Sequence, residues 1–272
     1  MAKAKDQERA NYNDRIKHYH AMTVKILKQE HDITPILKNK KSGYEFRQLE
    51  TAEMMINLAS NYLVMNGISL SLLGQRSEES LNEARKAIYK CIIYIEGIVG
   101  NTIDAPFTDY DQQLAMIESV SPEQRYCLVR KIGIAIQLLK NAYGDNSKWR
   151  WAFVELEGRH ATVTKNIIDL RNIFVNIDPR SPHYEPTFLH LKMIKKLLSQ
   201  AADRYREKYE LSTNRIDDFK MGISYLSALK RLGILTGDQI EAATSKKKLD
   251  TWTAKLNSDM TKQDKPYSGK KG

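Results

Sequence analysis

Only two cysteines, Cys91 and Cys127, occur in 272 residues. Each falls inside an apolar helical pattern, which leaves no disulfide framework or cysteine-rich zinc site and predicts two buried, reduced thiols. No Asn-x-Ser/Thr acceptor is present. The segment MAKAKDQERANYNDR at the N-terminus has no apolar core of a secretory signal. Together these features place the chain in a reducing, cytoplasmic setting. Every apolar run is short and broken by Lys, Glu or Asn, so none is expected to span a bilayer. No stretch alternates with period two over a useful length, which argues against a β-sheet. Of seven prolines, three crowd into Pro179, Pro182 and Pro186, so few helix breakers remain elsewhere.

Catalytic signatures are missing as well. There is no Cys-x-x-Cys, His-Glu-x-x-His, Gly-x-Ser-x-Gly or Gly-x-x-x-x-Gly-Lys-Ser/Thr. A non-enzymatic protein without cofactor or metal is therefore the expectation.

What the chain does have is helical periodicity. Trp149, Phe153, Leu156, His160, Val163, Ile167, Leu170, Phe174 and Ile177 are spaced 4, 3, 4, 3, 4, 3, 4, 3, a seam kept for about four heptads. Ile168, Ile173 and Val175 widen it, so the spacing predicts a central rod over 147–177 that packs on more than one neighbour. The same spacing recurs in Tyr12–Ile26, Leu49–Leu63, Leu81–Ile98, Leu128–Ala142, Leu191–Tyr205 and Ile216–Leu229. Helix starts are expected near 7, 45, 78, 110, 122, 147, 187, 215 and 237, intervals too irregular for a solenoid. Ser77 before Glu78-Glu79 and Ser121-Pro122-Glu123-Gln124 are strong starts. Thr236 with Gln239 and Ser212-Thr213-Asn214 read as further caps. Ile33-Thr34-Pro35 reads as a helix stop, and Asn66-Gly67 as a break or kink. The 81–98 helix resembles the second helix of a tetratricopeptide repeat in its Ala84, Ile88, Cys91 placement, but the Trp-x-x-Leu-Gly-x-x-Tyr first helix does not precede it.

The expected fold is all-α: an irregular bundle of about eight or nine helices with coiled-coil-like heptad seams and no β-sheet. Three parts are expected: a basic helix and linker at 1–43, a bundle body at 44–256 with a sub-division near 178–186, and a disordered basic tail at 257–272. The net charge of +10 is uneven. Residues 1–41 and 246–272 each carry an excess of five positive charges, and the middle is neutral. Such arms attract acidic partners: a protein, a nucleic acid or an anionic lipid surface.

Few constellations suggest chemistry. Glu157 and His160 form a Glu-x-x-His, used in pairs by di-iron proteins, but no second copy exists. His160 is then a core histidine with one hydrogen-bond partner, or a pH-sensitive polar residue in the seam. His18 and His20 diverge on a helix and read as surface residues. Asp217-Asp218 suits the first turn of a helix for dipole reasons alone. Lys148-Trp149-Arg150-Trp151 interleaves cations with indoles, as bases and protein hot spots both demand. Trp149 belongs to the seam, which leaves Trp151 as the exposed ring. The partner-binding candidates are accordingly Lys148, Arg150 and Trp151, with Lys246, Lys247 and Lys248 in the C-terminal arm. The composite expectation is a helical scaffold or adaptor in a larger assembly, docking through apolar helix faces. Non-specific nucleic-acid binding through the arms is the alternative.

Overall fold

The computed structural model describes residues 2–39, 43–144 and 148–263. Among them are ten α-helices and no strand. They are α1 (Ala2–Lys38), α2 (Tyr44–Leu73), α3 (Glu78–Val99), α4 (Asp111–Met116), α5 (Pro122–Tyr143), α6 (Arg150–Ile167), α7 (Ile173–Asn176), α8 (Tyr184–Lys208), α9 (Ile216–Leu235) and α10 (Gln239–Gln263). The all-α bundle is as expected, with one short helix more. No helix among the described residues is long and apolar enough to cross a membrane.

Two apolar cores form, and α6 stands between them. The first gathers Met55, Ile56, Leu81, Ile88, Ile95, Leu114, Ile132 and Leu139 from α2 to α5. The second gathers Ile194, Leu198, Tyr205, Phe219, Leu226, Leu229 and Trp252 from α8 to α10. Phe153, Leu156, Val163 and Ile167 of α6 face the first, while Val154 and Ala161 face the second. Every residue from 160 to 167 is buried. A helix greasy on more than one side is the sequence pattern such a position requires. The two cores therefore meet along α6, and the proline-rich segment 178–186 links α7 to α8 and enters the first turn of α8. That segment folds as consecutive tight turns, with Ser181 N–H donating to Asp178 O and Tyr184 N–H to Ser181 O.

The strong starts hold. Ser77 Oγ accepts from Ser80 N–H, and Ser77 N–H donates to the Asn66 side chain of α2 at 2.9 Å. Ser121 and Gln124 make the reciprocal capping box of α5, worth about 1 kcal/mol by such caps elsewhere.

Several punctuation marks read differently in three dimensions. α1 runs through Pro35 to Lys38. Proline removes one donor there, and the helix continues because Ile26, Ile33 and Leu37 still pack inward, Leu37 to 8% exposure. α2 runs through Asn66-Gly67 as one continuous helix, with Met65, Asn66 and Ser69 all buried. The cap of α10 is Asp238, whose carboxylate accepts from Glu241 N–H and from Lys195 Nζ. Thr236 instead closes α9, donating its hydroxyl to Leu232 O. Ser212 and Thr213 lie in a π-helical turn, Tyr209–Thr213, that extends α8. Asn214 ends it at φ 50°, and α9 begins without a side-chain cap. α10 continues through Gln263, so 257–263 is helix and not tail; residues 264–272 lie outside the described residues. Cys91 is buried as expected, but Cys127 is only half-buried.

The predicted rod is the main correction. α6 stops at Ile167, Ile168 turns extended, and the chain resumes as the four-residue α7. The seam residues beyond the break part company: Ile173 is buried in the second core while Phe174 and Val175 face solvent.

Candidate functional site

The break after Ile167 is where the polar groups of the interior collect. A helix end leaves its last carbonyls without partners. At α6 two of these, Thr164 O and Ile167 O, are met by buried side chains from other helices. Arg125 Nη1 of α5 donates to Ile167 O at 3.1 Å, and His190 Nε2 of α8 bonds Thr164 O at 2.9 Å. The Asn166 amide reaches back to Gly100 O and Thr102 O beyond α3. Lys165 Nζ meets Tyr110 OH at 3.2 Å and lies 4.4 Å from the centre of that ring. Burial holds the Lys165 ammonium down to about 8.

Arg125 is the most demanding member, at 1% exposure. Its guanidinium also donates to Ile117 O at 2.7 Å and to Val120 O at 2.9 Å. One cation thus ties the end of α4, the approach to α5 and the end of α6. Partly negative carbonyl ends suit it. Burial lowers its pKa, opposed by Asp169 and Glu118.

About two turns before the end of α6, His160 sits at 2% exposure with Nε2 2.9 Å from Val129 O of α5. A Cβ at Gly133 would lie 3.1 Å from its Cε1, so the bare glycine makes room for the imidazole. Desolvation pushes both His160 and His190 down to about 4, so each is neutral at pH 7.

Glu157 and His160 do share a cleft, as i and i+3 spacing implies. It is about 290 Å³, walled by α5, α6 and α8, and also lined by Gln137, Lys140, Gln200 and Arg204. Glu157 pairs with Lys140 and, at 3.7 Å, with Arg204. Its carboxylate is engaged by cations, and the His160 Nε2 by a carbonyl. Among the described residues no group of three His, Cys, Asp or Glu could hold a metal. The arrangement fixes three helices to one another, and its polar groups are largely satisfied within the fold.

The tryptophan tetrad is drawn inward. Trp149 packs on the first core and Trp151 on the second, both half-buried, so Trp151 is not the freely exposed ring. The neighbouring cations lie over these rings: Lys148 and Arg85 over Trp149, Arg150 over Trp151 at 4.8 Å. Lys246, Lys247 and Lys248 are exposed on α10, and Lys248 stands 3.7 Å from Asp203. Lys3, Lys5, Lys40, Lys41, Lys262, Lys265, Lys270 and Lys271 lie outside the described side chains. Sequence reasoning missed Arg125, His190 and Lys165. All three interrupt apolar faces, a signal that solvated charges on amphipathic helices produce equally often.

Fold and interior together define an all-helical protein whose two cores share one buried, polar-ended helix. The TP0443 family model matches residues 8–260, and the chain belongs to that family. No curated protein and no solved structure matches it.

Proposed function

We propose that the protein is a non-enzymatic helical scaffold or adaptor, a subunit of a larger assembly held by protein–protein contacts. The observation that carries this reading is the set of large apolar side chains left in solvent at helical spacing. Ile134 and Leu138, one turn apart on α5, are each about half exposed, at 50% and 51%. Val24 and Leu27, at 54% and 39%, are likewise exposed about one turn apart on α1, which packs on α2. Apolar residues repeated on one helix face suit a groove or helix of a partner. Action in the cytoplasm belongs to the same proposal, supported by two free thiols.

The test compares the intact protein with Ile134→Asp/Leu138→Asp and Val24→Asp/Leu27→Asp. These positions are exposed, so the variants should keep the wild-type thermal midpoint. Light scattering should then show a complex or self-association that one variant pair abolishes. A strictly monomeric protein, with no recovered binder sensitive to either pair, would refute the reading.

A second reading is non-specific nucleic-acid binding by the basic arms. Lys246 and Lys247 favour it, being exposed with no ion pair among the described residues. Affinity for an oligonucleotide should fall steeply with salt as counterions are released. Replacing Lys246, Lys247 and Lys248 by Ala should flatten that dependence. An unshifted oligonucleotide at low salt would remove the idea.

A further inference from the structure

Among the described residues the most exposed adjacent pair of large apolar side chains is Phe174 and Val175 on α7, at 63% and 68%. Neighbours on a helix point about 100° apart. For both to be so open, α7 must present an outward tip, anchored behind by buried Ile173 and Asn176. α7 packs on α8, and the tight turns of 177–183 lead directly from it into the first turn of that helix. On α8 Phe188 is 49% exposed and stacks on Tyr184, with ring centres 5.7 Å apart.

The solvent line of α8 continues from Phe188 to Lys192 and Lys196 at successive four-residue steps, about 6 Å each. Neither lysine has an ion pair among the described residues, whereas Arg171 pairs with Asp111 and Arg180 with Asp178. One acid, Glu185, also stands on this line, in the first turn of α8 where the helix dipole offsets its charge.

We propose that the α7 tip and the exposed line of α8 contact an anionic membrane surface. Phe174, Val175 and Phe188 enter the boundary between headgroups and acyl chains, and Lys192 and Lys196 meet the anionic headgroups. Apolar insertion beside unpaired lysines is the chemistry of interfacial binding. Val175 decides between lipid and nucleic acid: it has no π-face for a base, while hydrocarbon accepts it as readily as the two phenylalanines. A protruding tip also differs from the long straight stripe that a partner helix would require. This contact is peripheral and independent of the scaffold reading, which rests on α1 and α5.

Co-sedimentation of the full chain with vesicles tests it. One set is phosphatidylcholine alone; the other has phosphatidylserine as about a third of the lipid. The protein should sediment with the mixed vesicles, release in high salt, and ignore the neutral ones. Lys192→Ala with Lys196→Ala should weaken partition about thirtyfold, from roughly fivefold per lysine near a charged surface. Phe174→Asp with Val175→Asp should abolish it, and should that variant lose its thermal midpoint, the lysine pair decides alone. Three outcomes overturn the proposal. One is no sedimentation with either vesicle. Another is binding untouched by all four substitutions and lost on replacing Lys246, Lys247 and Lys248, which would assign it to the arm. The last is binding of a single-stranded oligonucleotide, lost on the same four substitutions, with none to vesicles.

Discussion

Lowering the pH should loosen this fold well before its carboxylates are protonated. His160 and His190 are fully enclosed and neutral. An unfolded histidine takes up its proton near pH 6.5, whereas these two take theirs only near about pH 4, because burial disfavours the imidazolium. Each carbonyl partner pulls the other way and does not overcome the burial. Between the two values the unfolded chain binds more protons than the folded one, so stability is lost as the pH falls through the window. Each residue then contributes a slope of about 1.4 kcal/mol per pH unit. From about pH 7 to about pH 5 the pair removes about 4 kcal/mol in all. That is a large share of the 5–15 kcal/mol or so that holds a typical domain. The other four histidines, His18, His20, His31 and His183, are exposed. Urea melts followed by circular dichroism, above about pH 4.5 where most carboxylates are still ionised, measure the slope. His160→Gln and His190→Gln keep an N–H donor and carry no proton equilibrium, so each should flatten the slope by about 1.4 kcal/mol per unit. An unchanged slope in the double variant would refute the reasoning. So would a native-state NMR titration in which either imidazole takes up its proton near 6.5.

Arg125→Met removes the guanidinium donor from the carbonyls of Ile117, Val120 and Ile167, leaving Ile117 O only the Val120 N–H, and should cost about 3–5 kcal/mol in denaturant unfolding. Gly158→Ala should destabilise by about 1–3 kcal/mol despite the better helix propensity of alanine, because the new Cβ would lie 2.7 Å from Tyr225 OH and 2.8 Å from the Tyr205 ring. Gly97→Ala meets only the movable end of the Gln48 amide, and should be neutral or stabilising by up to about 1 kcal/mol in the same assay. Glu30 accepts from Lys90 at 2.7 Å and from Tyr94 at 2.9 Å, tying α1 to α3. Glu30→Ala should therefore raise amide exchange in α1 by about tenfold or more without matching change in α8–α10; equal change in both would show that the tie is not local.

Much of the helix inventory was readable because heptad spacing, Ser77 and Ser121 are local signals. The breaks were less readable. Pro35 and Gly67 look like stops, yet the inward residues on either side of each are buried by neighbouring helices, and that burial outweighs one lost hydrogen bond or one flexible residue. At Ile167 the opposite holds. The heptad continues in sequence through Leu170, Phe174 and Ile177, but the helix ends because Arg125 and His190, from helices distant along the chain, bond its terminal carbonyls. Lys148, Arg150 and Trp151 were legible as a cation–indole cluster. Their engagement with their own rings and with two different cores was not, since it depends on where α6 lies.

The amino-acid order on its own set the secondary structure: repeating apolar positions 3 and 4 apart, capping hydroxyls and few breakers leave helices as the favoured way to bury those side chains. It also set the uneven charge. Which helix is central, where it terminates, and which histidines stay neutral were decided only on packing. Those properties depend on the groups that distant segments bring to a carbonyl or an imidazole, and desolvation exists only once the chain has closed around them.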